Sequence, residues 1–107
     1  VAELHDMVSV REPLQLEALG IAERGEGWRL VDDGTTTCDG SLPVNTSGGL
    51  KARGHPLGAT GVAQVAELYW QLTGQADARQ VRADRGLVCT VGGFGNCVVT
   101  SLLEVAG

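Results

Sequence analysis

Between residues 58 and 73 the apolar side chains Val62, Val65, Ala66, Tyr69 and Leu72 recur at helical spacing, while Gln64, Glu67 and Gln71 fall mainly on other faces. The pattern predicts an amphipathic helix ended by Gly74. Its opening, Gly58-Ala59-Thr60-Gly61, is unusually small. That allows a neighbouring backbone to come close, at a cost of about 1 kcal/mol per interior glycine relative to alanine. Further on, "GLVCTV" is an almost unbroken apolar run of strand length, "GGFGN" turns the chain, and "CVVTSLLEV" supplies a second run. Together they predict a β-hairpin over 86–104, buried on both sides. A shorter helix is expected over about 12–19, with Pro13 in its first turn and Gly20 as its stop. Residues 20–49 are rich in Gly, Asp, Thr and Ser, and read as mostly loop with one brief strand among the apolar islands at 28–31 and 42–44. There is no internal repeat and no low-complexity segment.

Composition narrows the class. A chain of 107 residues with 43% hydrophobic content can form one modest domain, or part of a larger core. The net charge of −5 and a pI near 4.8, with the Lys and Arg residues scattered, argue against a nucleic-acid partner. No apolar stretch approaches the roughly 20 residues that span a bilayer, so the expectation is a soluble, cytoplasmic protein. Cys38, Cys89 and Cys97 are odd in number and lack CxxC spacing, which suggests a reducing compartment and neither a disulfide framework nor a metal site. The chain opens on Val1, and "VAELHD" reads as though a strand or loop were already under way, so a fragment or processed piece is expected.

In "GLKARGHPLGATG", residues 49–61, a histidine sits among four glycines and a proline. Pro56 suits a first helical position, which puts His55 at or just before a helix N-terminus. The positive end of the helix dipole disfavours imidazolium there and favours a neutral ring able to accept a proton. A histidine that merely caps the helix inside a tight glycine turn is the structural alternative. A phosphate loop is not supported, because the Gly-Lys-Ser/Thr ending is absent.

The longer stretch "VNTSGGLKARGHPLGATGVAQVAELYWQLTG", residues 44–74, closely resembles the C-terminal signature of thiolases, especially the sterol-carrier-protein-type branch, which runs much like NPSGG, GHPLGATG and AELxWQLRG. Upstream, "ELHDMVS" resembles that branch's His-Asp-Cys-Phe segment, and downstream "CTVGGFG" resembles the family's Cys-x-Gly-Gly-Gly-x-Gly turn. The resemblance covers nearly the whole chain. It implies an α/β fold, the C-terminal portion of a βαβαβαββ domain, with a central helix after the Gly-His-Pro motif and a C-terminal hairpin. It also implies thioester chemistry on coenzyme A substrates, either cleavage of 3-ketoacyl-CoA or the reverse Claisen condensation.

By that resemblance His55 activates a nucleophilic cysteine and donates to an oxyanion hole, and Cys89 is the acid/base for the second substrate. His5 helps to polarise the substrate carbonyl, and Gly54, Gly92 and Gly93 are the expected coenzyme A contacts. Two departures stand out: Met7 and Val8 replace Cys and Phe, and Cys-Thr-Val-Gly-Gly is one glycine short. Cys38 and Cys97 match no nucleophile motif and are read as structural. The nucleophile is therefore expected in an N-terminal half outside residues 1–107, leaving this chain inactive alone. The expected partners are an acyl-CoA substrate, that N-terminal half and further copies in a homo-oligomer, with no covalently bound cofactor. A thiolase-fold retro-aldolase subunit of steroid side-chain breakdown and a non-catalytic lipid-transfer or assembly module are the alternatives.

Overall fold

The hairpin forms the middle and one edge of a three-stranded sheet. In the computed structural model, which describes residues 1–106, β2 (Arg85–Gly92) pairs antiparallel with β3 (Cys97–Glu104), from Arg85 opposite Glu104 to Gly92 opposite Cys97. The short strand β1 (Ala2–Leu4) lies parallel on the other side of β2, with Leu4 opposite Cys89, giving the order β1-β2-β3. A parallel pair needs a crossover. Everything between β1 and β2 supplies it: α1 (Arg11–Ala18), α2 (Gly27–Asp32), α3 (Gly49–Arg53), α4 (Thr60–Thr73) and a 3₁₀ turn at Asp77–Arg79. Val44 makes an isolated parallel bridge to Ala2, and the Asn45 side chain accepts from the Leu4 N–H at 2.7 Å, so the free edge of β1 is covered.

Strand alternation sends successive side chains to opposite faces of the sheet. On one face Ala2, Leu4 and Cys89 join Leu16 of α1 and Val44 in a buried cluster, with Leu19, Leu30 and Leu87 packed against it. On the other face lies α4. Two glycines set that approach: a Cβ on Gly86 would stand 2.8 Å from Leu68 Cδ1, and one on Gly61 3.3 Å from Thr90 Cγ2. The small opening of the helix is thus used where α4 crosses β2.

The side of α4 that packs on the sheet is mostly polar. Thr60, Gln64, Glu67, Leu68 and Gln71 are buried, while Val62 is 71% exposed and Val65 and Tyr69 are also exposed. The buried polar groups are paired, which makes their burial tolerable. Gln64 Nε2 donates to the carbonyls of Glu3 (3.3 Å) and Cys89 (3.5 Å), and its Oε1 accepts from the Thr90 hydroxyl at 2.6 Å. Glu67 accepts from Thr46 Oγ1 (3.1 Å), Gln71 Nε2 (3.0 Å) and the Arg79 guanidinium (3.0 Å). Burial by itself pushes Glu67 up, but these hydrogen bonds and the Arg79 charge outweigh it and hold its carboxyl below the ordinary value. Glu3 has the opposite balance: burial pushes it up, and the hydrogen bonds from Ser47 oppose that only in part.

Three expectations need correction. The hairpin is not buried on both sides: β2 is largely buried, but every residue of β3 is exposed or half-buried, because β3 is the outer strand and no layer of the described residues covers it. Residues 20–49 are mostly loop and turn as expected, but the island at 28–31 lies in the helix α2 instead of a strand, and Val44 makes only an isolated bridge. α2 has no side-chain cap; the Gly27 N–H instead donates to the Glu17 carboxylate at 2.9 Å, a contact that local propensity cannot show. α4 begins at Thr60 instead of residue 58, because residues 56–59 form a turn in which the Ala59 and Thr60 N–H groups donate to the Pro56 carbonyl. The shorter helix matches its expected position to within a residue, and both it and α4 are followed by left-handed glycines, Gly20 and Gly74.

Candidate active site

His5 follows directly from β1 and is 2% exposed. Its backbone is clamped by one α1 side chain: Gln15 Oε1 accepts from the His5 N–H and Gln15 Nε2 donates to the His5 carbonyl, both at 3.0 Å. Burial, reinforced by the neighbouring His55 and Arg11, lowers the His5 pKa from 6.5, so the ring is neutral at physiological pH. Its Nδ1 is buried without a hydrogen-bond partner. An unpartnered lone pair costs less than an unpartnered N–H, which favours the tautomer with the proton on Nε2. The next residue, Asp6, is buried and accepts from the Leu50 N–H at 2.7 Å, fixing the start of α3.

α3 ends at Arg53, and Gly54, at φ 90°, turns the chain into His55 and Pro56. His55 stands a turn ahead of α4, half-buried, with Nδ1 2.7 Å from the Thr60 hydroxyl. The two imidazoles meet edge to face, with ring centroids 4.9 Å apart. They open on a cleft of about 490 Å³ that is also walled by Met7, Thr60, Thr90, Gly92 and Gly93. Phe94, 98% exposed at the hairpin tip, overhangs it.

The structure brings His5, His55, Gly92 and Gly93 to one cleft and leaves the other two expected site residues, Cys89 and Gly54, out of its wall. Cys89 is buried on the α1 side of β2, where Thr100 Oγ1 donates to its Sγ at 3.9 Å. It lines a second cleft, of about 520 Å³, with Arg11, Leu14 and Leu19. The two clefts share Val91 and Phe94 at the end of the hairpin. Gly54 is exposed beside His55 and is not part of the cleft wall. Cys38 and Cys97, read as structural, are exposed free thiols that no core packs around. Thr60 and Thr90 escaped the sequence reading; the one available signal was a hydroxyl five positions after His55 in a glycine-rich turn. Among the described residues no three His, Cys, Asp or Glu side chains cluster as metal ligands, and no helix is long and apolar enough to cross a membrane.

A sheet with helices on both faces and a histidine pair at one end of β2 define an α/β domain with a candidate catalytic cleft. A family model described as "Thiolase C-terminal domain-like" matches residues 1–105, and the chain belongs to that family. It is 55% identical over 105 residues to an acetyl-CoA acetyltransferase of Methanothermobacter thermautotrophicus, covering 97% of this chain and 27% of that protein. It is 49% identical over 105 residues to human sterol carrier protein 2, covering 98% of this chain and 19% of that protein. A non-specific lipid-transfer protein-like 2 of Caenorhabditis elegans is 47% identical over 81 residues, with 76% and 20% covered. The chain thus spans about a quarter or less of these relatives.

Proposed function

We infer that this chain supplies the histidine side of the active site of a thiolase-type acyltransferase, acting on coenzyme A thioesters by thiolysis or Claisen condensation. The observation that carries the reading is the pair of histidines packed at 4.9 Å on an open cleft. His55 accepts the proton of a nucleophilic thiol and returns it later as a hydrogen bond to the developing oxyanion. His5, kept neutral, donates from Nε2 to the substrate carbonyl. Gly92 and Gly93, without side chains, let the thioester lie against the backbone. The substrate itself carries the coenzyme A, so no bound cofactor is required.

The nucleophilic cysteine comes from an N-terminal segment outside residues 1–107, and the chain alone is inactive. Support for such a partner comes from the share of the relatives that is matched and from the apolar surface left bare on α4 and β3, where Val62, Tyr69, Val99 and Leu102 are all more than half exposed. Further copies of the whole protein in a cytoplasmic homo-oligomer complete this reading. Family resemblance gives Cys89 the second acid–base role. From its position on the α1 side of β2, it can serve the histidine cleft only if the hairpin end moves.

The test is acetoacetyl-CoA cleavage by the protein that contains this chain. His55→Ala should slow both acylation and turnover, by the factor of about 10²–10³ typical of a lost oxyanion donor. Rates within about threefold of the unmodified protein would make His55 a helix-capping residue only. A second reading, a lipid-binding module, is favoured by the open apolar cleft between α1 and the hairpin. It predicts saturable binding of a fluorescent fatty acid that is abolished by Leu14→Asp and indifferent to His55→Ala.

A further inference from the structure

We propose that Thr60 is a positioning residue that fixes which nitrogen of His55 carries the proton, leaving Nε2 free as the base. The proposal rests on the functional reading above, in which His55 accepts a proton. Thr60 is 1% exposed, so its hydroxyl must find partners within the protein. Two are in reach: His55 Nδ1 at 2.7 Å and the Pro56 carbonyl at 3.2 Å. The hydroxyl has one proton and can donate to only one of them at a time.

The two polarities have opposite chemical consequences. If Thr60 donates to His55 Nδ1, the ring proton must sit on Nε2, and His55 meets the cleft as a donor with no basic lone pair. If Thr60 donates to Pro56, it accepts from a protonated Nδ1, and Nε2 faces the cleft as a lone pair. The 2.7 Å contact is short for either direction, and the Pro56 carbonyl already accepts from the N–H groups of Ala59 (2.9 Å) and Thr60 (3.0 Å). Distance therefore does not choose, but proton bookkeeping does. In the chain running from Nδ1–H through Thr60 to Pro56, Nε2 can take up a proton and later donate it while Nδ1–H and Thr60 keep their bonds unchanged. The opposite polarity would require the hydroxyl to rotate, and the ring to exchange its proton, before His55 could act as a base at all. A buried hydroxyl flanked by a fixed carbonyl thus holds the ring in its basic tautomer, as carboxylates and carbonyls commonly do for functional histidines.

The experiment is ¹⁵N NMR of histidine side chains in the protein that contains this chain, with His55 assigned by loss of its signals in His55→Gln. Above the titration range the expected spectrum has an N–H-type shift at Nδ1 and a lone-pair shift at Nε2. Thr60→Val, which keeps the shape and removes the hydroxyl, should move His55 towards the Nε2–H form that free imidazole side chains prefer, and Thr60→Ser should restore it. The acylation rate should fall on the order of tenfold in Thr60→Val, the scale of one lost hydrogen bond, and recover in Thr60→Ser. An Nε2–H tautomer in the unmodified protein overturns the proposal without any variant having to fold, and so does a His55 tautomer unchanged by Thr60→Val. If the tautomer responds as expected while the unmodified protein leaves acetoacetyl-CoA intact, the positioning role stands and the acyltransferase reading falls.

Discussion

His5, at the start of the crossover, and His55, between α3 and α4, meet edge to face, with ring centroids 4.9 Å apart. Each is fixed by a different element: His5 through the Gln15 clamp from α1, and His55 through the Thr60 hydroxyl at the first residue of α4. The pair therefore reports on the docking of both helices against the sheet, as well as on chemistry.

Protonating His5 should cost folding stability. Its folded pKa lies below the ordinary 6.5, first through burial and then through the neighbouring His55 and Arg11. Below pH 6.5 the unfolded chain binds a proton that the folded chain resists, so stability is full above that pH and is lost as the pH falls. Glu3, whose pKa is raised by burial, acts in the opposite direction at lower pH, so the comparison must be a difference. Urea midpoints for the unmodified protein and His5→Asn at about pH 7.5 and about pH 5.5 provide it. The unmodified protein should lose more stability between the two, and equal losses would show that His5 does not titrate with folding.

The Glu67–Arg79 pair should stabilise the fold at neutral pH. Glu67 is buried and Arg79 exposed, with the two 3.0 Å apart. Arg79→Ala leaves a buried carboxylate with fewer donors and should cost about 1–3 kcal/mol near pH 7. Glu67 has a lowered folded pKa, so its contribution is present above the ordinary 4.5 and lost as the pH falls through the folded value. The cost of Arg79→Ala should shrink in acid. A cost that did not vary with pH would point to lost packing instead.

Reversed burial on α4 gives a direct comparison. Leu68 is fully buried, so Leu68→Ala should destabilise by about 2–5 kcal/mol, whereas Val62→Ala on the exposed stripe should stay within about 0.5 kcal/mol. The bare stripe should also make residues 1–107 self-associate or bind hydrophobic dyes, and Val62→Ser with Tyr69→Ser should reduce both. A monodisperse monomer of the unmodified chain that binds no dye would remove the case for a covering partner.

Cys89→Ser separates the two half-reactions. In the protein that contains this chain, acylation of the nucleophile should persist while exchange of the α-protons of acetyl-CoA into deuterated water stops. Continued exchange would leave Cys89 as a buried thiol packed with Leu4 and Leu16.

Much of this was legible in the sequence. Periodicity identified α4 and the residues that share each of its faces, the apolar runs marked the hairpin, and Gly20 and Gly74 marked the ends of α1 and α4. The Gly-His-Pro stretch and the thiolase-like motifs singled out both histidines that the structure joins. α2 and α3 were not legible, because six- and five-residue helices carry too little local signal and depend on distant acceptors, the carboxylates of Glu17 and Asp6.

The tertiary structure alone decided which face is inside. A period of 3.6 says which side chains lie together, not whether their stripe meets the sheet or solvent, and here Gln64, Glu67 and Gln71 face inward because Glu3, Thr46, Thr90 and Arg79 are there to pair with them. In the same way a period of 2 puts Cys89 and Thr90 on opposite faces of β2 but does not say which face carries the histidines. That was settled by α4 crossing on the Thr90 side, where Gly61 lets it close in, so that a threonine and not the cysteine borders the His5–His55 cleft.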